Sequence, residues 1–261
     1  MIKQTTLLTG AIALALTFAH GPLAAEEADL PDARTLIDRH LEASGGRDAL
    51  MAQTEGTMEG EFAMPAAGMT GSLMVASRDG NERVIRIELP GVGEIKTGFS
   101  PDLAWSIDPF MGPRLIEGAE FDALAESSLP EAILRDPGMV TATTVEQAEF
   151  LDQACWRVKL EWQSGRTTHD CYAIDSGFLI ATESVEVSPM GELQTTTLMD
   201  DYQEFEGFKI ATTTRVLVMG QEQVLTMNSF SMEAPDPALF ELPPAIQTLL
   251  EDQYSRKKAP R

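Results

Sequence analysis

The sequence predicts a mainly β fold, an antiparallel arrangement of about 11–12 strands with a few helices. Three observations carry that prediction. From Thr54 onward apolar residues recur with a period of two, and Gly, Pro, Asp and Asn interrupt that text at strand-length intervals. Helical spacing is confined to the stretch before Thr54 and to the stretch between Pro113 and Pro137. The composition agrees: 43% of the 261 residues are hydrophobic and 23% are charged, which is globular rather than disordered. With 41 acidic against 19 basic residues the formal charge is −22, which repels phosphate backbones and excludes nucleic-acid binding as a function.

Residues 1–25 carry one charge, Lys3, then an apolar run from Leu7 to Phe18 and a small-residue exit at Pro22-Leu23-Ala24-Ala25. This reads as a cleaved signal peptide, because the run falls well short of the ~20 residues that span a bilayer. Cleavage is expected after Ala25, with Ala19-x-Gly21 as the alternative, and no cysteine stands there to accept a lipid. The exported chain is then expected to be periplasmic, with one domain over 26–250 and a basic, fraying tail over 251–261.

The first helix is predicted from Asp29 to Ala52. Asp29 can cap it, Pro31 suits its first turn, and Ala33, Leu36, Ile37, His40 and Leu41 share one face. Gly45-Gly46 breaks it with a left-handed cap, and Arg47 to Gln53 adds a short further turn. Strands are expected at 55–64, 69–78, 82–90, 94–99, 103–108, 140–150, 154–163, 166–175, 178–188, 192–205, 208–219 and 222–233. Asp79-Gly80 and Asp175-Ser176-Gly177 supply turns. Between them Gly118–Glu126 and Pro130–Leu134 read as short helices that interrupt the sheet. The clearest alternation sets Trp156, Val158, Leu160 and Trp162 on a dry face against Arg157, Lys159, Glu161 and Gln163 on a wet one.

Cys155 and Cys171 are the two cysteines, and an even count in an oxidising compartment favours a disulfide across a hairpin turning at Gln163-Ser164-Gly165. Their parity places both on the wet face. Two thiols with His169 nearby fall short of a four-ligand zinc site, so no metal is expected.

Catalytic material is sparse, and no catalytic residue or cofactor is assigned. His40 and His169 are the imidazoles beyond the leader; the first reads as a packing residue, and the second neighbours a cysteine that points to the opposite face. No Gly-x-Ser-x-Gly elbow or calcium loop occurs. The excess lies in methionine, 13 residues, among them Met58, Met64, Met69, Met74, Met199, Met219, Met227 and Met232 in or beside strands. Thioether chains fill irregular gaps and accommodate variable apolar partners.

Two stretches carry a family resemblance. Leu36 to Leu50, with its Gly45-Gly46 end, resembles the opening helix of exported proteins of the outer-membrane lipoprotein carrier (LolA/LolB-like) superfamily. Asp201 to Ile210, Asn228-Ser229-Phe230 and Pro237 to Pro243 are similar to that family's closing strands and its Phe-x-x-Pro ending. The resemblance implies a curled, incompletely closed antiparallel β-barrel whose helices cover the open side over an apolar cavity. It implies a carrier of a lipid, a lipoprotein acyl chain or another apolar ligand, moved toward the outer membrane. Partners would be that cargo and membrane-protein donors and acceptors, with the chain a monomer. The cavity lining would come from the dry parity: Met58, Phe62, Leu73, Ile85, Ile87, Trp105, Ile107, Trp156, Val158, Leu160, Trp162 and Phe230. The rival expectation is a barrel filled by its own side chains, acting as a non-catalytic docking module; a hydrolase is the third class.

Overall fold

The computed structural model describes residues 30–79, 81–188 and 191–258. The proposed signal peptide, residues 1–25, lies outside them. Thirteen strands form one antiparallel sheet: β1 (Gly56–Met64), β2 (Met69–Arg78), β3 (Glu82–Leu89), β4 (Gly93–Ser100), β5 (Leu103–Asp108), β6 (Gly112–Ile116), β7 (Val140–Phe150), β8 (Gln153–Trp162), β9 (Thr167–Ala173), β10 (Leu179–Ser188), β11 (Gly191–Phe205), β12 (Phe208–Val218) and β13 (Gln221–Ser231). The spatial order is β6-β5-β4-β3-β2-β1-β13-β12-β11-β10-β9-β8-β7. The chain is therefore two meanders joined where β1 pairs with β13, and the sheet edges β6 and β7 do not pair with each other. This is the curled, incompletely closed barrel.

Twelve strands fall where the period-two text places them. The thirteenth, β6, lies in a stretch read as returning to helix. Pro113 obscures it, because proline is excluded from central strands yet tolerated on an edge, and β6 is an edge strand.

Helices α1 (Ala33–Ala43) and α2 (Arg47–Ala52) precede the sheet, α3 (Gly118–Ser128) and α4 (Pro130–Ile133) link its two edges, and α5 (Pro244–Lys258) closes the described chain. The cap of α1 is Asp32 rather than Asp29, its carboxylate accepting from the Thr35 N–H at 2.9 Å. At the other end the Gly46 N–H donates to the Leu41 carbonyl and the Gly45 N–H to the Glu42 carbonyl, the paired bonds of a left-handed C-cap. Gly45, at φ +123°, also presses on the β11–β12 turn: a Cβ there would meet the Gly207 carbonyl at 3.0 Å. The tail read as fraying continues α5 as far as Lys258, since Pro244 starts a helix whose Ile246 is fully buried and which packs on β6.

The inner face of the sheet is covered in two places. Helix α1 sets Leu36 and Ile37 on Val158, Leu160, Trp162 and Tyr172 of β8 and β9. Helix α3 sets Phe121, Leu124 and Ala125 on Phe99, Ala104 and Ile116 of β4 to β6, with the Phe99 and Phe121 rings 5.9 Å apart. A third inner cluster joins Phe62, Leu73 and Leu89 to Ile85, Ile87 and Leu225.

Cys155 and Cys171 form a disulfide, as their count predicts. Their face is not wet at that point. Both are buried in a small outer cluster with Ala173, Ile180 and Ala181, against Ala148, Phe150 and Leu198. The alternation of β8 is correct farther along, at Lys159 and Glu161, but the outer face turns apolar where neighbouring strands add small and aliphatic residues. Because the bond closes a span of 16 residues, the variant Cys155→Ala/Cys171→Ala is expected to lose about 3 kcal/mol of unfolding free energy. Urea denaturation of both proteins measures the loss; an unchanged midpoint would assign the hairpin's stability to its apolar neighbours alone.

Candidate functional site

Between the two helix-covered regions the middle strands β10 to β13 and β1 to β3 leave a cavity of about 570 Å³, roofed by α1, α2 and α4. Its wall is mostly apolar. Met58 of β1 pairs in register with Phe230 of β13 and Val75 of β2, and all three line it together with Met199 of β11 and Met227 of β13. The roof contributes Leu41, Leu50, Ile133 and Leu134.

Polar groups stand at fixed points of the wall. The Nδ1 of His40 accepts from the Leu179 N–H at 3.2 Å, so the ring's proton sits on Nε2 while the imidazole is neutral. Burial, with Arg135 nearby, pushes His40 down from its ordinary 6.5 to about 4. Ser44 Oγ lies 3.5 Å from the same Nδ1. That contact is long, the nitrogen is already engaged and the imidazole is weakly basic, so the pair lacks what a general-base step requires. Tyr202 donates to the Leu179 carbonyl at 2.6 Å and stacks on Phe178 with centroids 4.0 Å apart. Arg83 and Ser77 sit at the end of the cavity where β2 and β3 meet.

The roof is tied to the sheet by charge. Asp170 on β9 has no solvent exposure and accepts from Arg135 Nε at 2.9 Å, Tyr172 Oη at 3.0 Å and Thr182 Oγ1 at 2.8 Å. Arg135 follows α4 and also donates to the Ile133 carbonyl at 2.9 Å, while its own carbonyl accepts from Arg34 of α1. Arg47 pairs with Asp136 at 3.2 Å, and Arg39 donates to the Ile174 and Asp175 carbonyls of the β9–β10 turn. Arg135 itself stands at φ +51°, where glycine is the easier residue. Its side chain is the reason for the exception.

Of the twelve residues expected to line a cavity, Met58 and Phe230 do so. Phe62, Leu73, Ile85 and Ile87 pack in the inner cluster of β1 to β3, and Trp156, Val158, Leu160 and Trp162 pack beneath α1. Trp105 and Ile107 fall on the opposite face: Thr97 and Ser106, in register and 3.4 Å apart, take the inner parity, and the Trp105 indole lies across Gly98, where a Cβ would come within 2.4 Å of the ring. His169 is on the outer face, in register with Lys159 and Glu183. Ser127 and Ser128 both donate to the Leu124 carbonyl. Among the described residues no cluster of His, Cys, Asp and Glu is arranged to hold a metal. Sequence reasoning missed Arg83 and His40 as cavity residues, although Arg83 shares the parity of Ile85 and Ile87.

Neither a family model nor a curated protein matches this sequence. Solved structures do match by fold. A LolA superfamily protein from Nitrosomonas europaea aligns over 81% of this chain and 98% of its own, with a TM-score of 0.52 and 14% identity. A DUF1329 family protein from Desulfovibrio piger aligns over 80% and 97%, at TM-score 0.54 and 14% identity. A domain described as an outer membrane lipoprotein-sorting protein, from Vibrio parahaemolyticus, aligns over 82% and 99%, at TM-score 0.52 and 12% identity. The chain has the LolA-like fold that its opening helix and closing strands resemble.

Two measurements test the roof. Arg135→Gly relieves the left-handed backbone but strands Asp170 as a buried charge, and is expected to cost about 3–5 kcal/mol by urea denaturation, with Arg135→Met/Asp170→Leu recovering most of it. His40 is held neutral in the fold below its ordinary 6.5, so the unfolded chain binds the extra proton between pH 6.5 and about 4. Stability is therefore full above pH 6.5 and falls by roughly 3 kcal/mol on acidification to pH 4. The His40→Gln variant should lack that component when the two pH profiles are subtracted.

Proposed function

We propose that the chain is a periplasmic carrier that binds a lipid, a lipoprotein acyl chain or another apolar ligand in the cavity under α1, α2 and α4, and moves it toward the outer membrane. The observation that carries this reading is the cavity itself, about 570 Å³ of mostly apolar wall, within the range of about 300–1,000 Å³ usual for small-molecule sites. A barrel filled by its own side chains, the expectation for a docking module, would have no such space. Export rests on the apolar segment of residues 1–25, and transfer requires a donor and an acceptor membrane protein at either end of the journey.

The physics supports an acyl chain. Each methylene moved from water into the cavity gains about 0.8 kcal/mol. Met58, Met199 and Met227 give the wall side chains that adjust to a chain without fixed shape. The LolA superfamily and lipoprotein-sorting descriptions of the structural neighbours agree with such a role. No step here calls for a nucleophile or a bound cofactor, and His40 and Arg135 are engaged in holding the roof to the sheet.

Native mass spectrometry of protein expressed with its leader, followed by organic extraction, is expected to find a stoichiometric lipid or acylated peptide. The variant Ala211→Trp, which projects an indole from β12 into the cavity, is expected to lose that cargo while keeping a melting temperature within a few degrees of the parent. A clean apo mass, with no uptake of offered lipids by the parent, would overturn the carrier and favour the docking module.

A further inference from the structure

The floor of the cavity is graded along the strands. Phe230, Met58, Val75 and Ile85 form one cross-strand row, in register through β13, β1, β2 and β3. Two residues along, about 7 Å at the usual strand rise, the next row is Gly56, Ser77 and Arg83. Phe230, Met58 and Val75 line the cavity, and within one row that apolar wall gives way to the Ser77 hydroxyl and the Arg83 guanidinium, which line it too.

Arg83 stands out among the residues that line the cavity. It is half-buried, its partial desolvation disfavours the charged form, and among the described residues it makes no hydrogen bond and no ion pair. Other arginines are matched, Arg135 by Asp170 at 2.9 Å, Arg114 by Glu120 at 2.7 Å and Arg157 by Glu183 at 2.8 Å, while Arg215 of β12, half-buried and also without a partner among the described residues, does not line the cavity. In a chain with 41 acidic residues a partner for one more arginine is easily placed. Glu55 lines the same end of the cavity without pairing to it, and Lys209 adds a second cation to the rim. The Ser77 hydroxyl, directly opposite Arg83 in the register, has no hydrogen-bond partner among the described residues either. A partly desolvated cation without an internal partner lowers stability. Arginine's planar fork is matched to a carboxylate or a phosphate.

We propose that the cavity takes an anionic amphiphile, its acyl chain along Met58, Val75 and Phe230 and its carboxylate or phosphate on Arg83 and Ser77. The assignment rests on the carrier reading and adds the chemistry of the head. The chain supplies most of the affinity, and Arg83 fixes which end of the ligand lies at the β2–β3 end of the cavity.

Delipidated protein titrated with laurate, dodecyl phosphate, dodecanol and inorganic phosphate separates the contributions, because the first three share one chain. Laurate or dodecyl phosphate is expected to bind about tenfold or more tightly than dodecanol, the factor that one charge-assisted hydrogen bond supplies. The tighter of the two names the head, and inorganic phosphate without a chain is expected not to bind. Arg83→Gln should erase the preference and leave dodecanol within about twofold, with no fall in the melting temperature of the ligand-free protein, since no internal partner is lost. Equal affinity of the parent for the charged and neutral chains would overturn the anionic head and leave the carrier standing, a comparison that needs no variant. Retention of the preference by Arg83→Gln would overturn the role of Arg83. Failure of every chain to bind would overturn the carrier reading, and the head assignment with it.

Discussion

A single buried carboxylate fixes the helical cover of this sheet. Asp170, without solvent exposure, receives Arg135, Tyr172 and Thr182, and Arg135 in turn grips the end of α4 and offers its carbonyl to Arg34 of α1. A buried charge is tolerated only when its hydrogen bonds are made. Each of these groups is thus held to one geometry, where apolar packing alone would accept several. The bond joins an element of the roof to the centre of β9, so the cover is positioned from one side. The helices need not fill the curl in order to stay in place.

That arrangement explains where the empty space lies. Thirteen strands curl but do not close, and their edges β6 and β7 are consecutive in the chain, so α3 and α4 must bridge the gap. Helix α3 reaches the inner face of β4 to β6 and also contacts β10; α1 covers β7 and β9. The strands farthest from both edges, around the β1–β13 pairing, are left with side chains but no helix packed against them. The cavity is the remainder of an inner face too long for two helices to cover, and Met58, Met199, Met227 and Phe230 are the residues that remainder exposes.

Most of the fold was legible because strand text is local: parity, turn residues and the Gly45-Gly46 break each depend on a few neighbours in sequence. What was not legible depends on the far side of the sheet. Parity puts Val158 and Phe230 on the same inner face, but only the path of α1 decides that one is packed and the other lines space. In β5 large apolar residues occupy Leu103, Trp105 and Ile107, and parity alone takes them as inward; the strand instead puts Ala104 and Ser106 inside, where α3 approaches, and its bulk outside. The outer patch around Cys155 and Cys171 draws on β7, β10 and β11, which no reading of one hairpin contains. Arg83 did leave a signal, an arginine in phase with Ile85 and Ile87, and it was hidden by the ordinary expectation that charge faces water.

The wall's two materials divide the work of recognition between them. An apolar surface distinguishes chains differing by one methylene by only about 1–3 kcal/mol, and one lined with thioethers adapts further. Such a wall accepts a class of chains and has little means of setting their direction. A single cation at one end does set direction, because an anionic head placed at the apolar end would forfeit its hydration without return. The same cation is least favourable when the cavity is empty, since Arg83 is then partly desolvated and has no internal acceptor among the described residues. Under the proposed function this asymmetry has a use: the ligand-free form is less comfortable than the loaded one at the very site where the head arrives, so binding relieves a local penalty while the roof, tied elsewhere to Asp170, keeps its geometry.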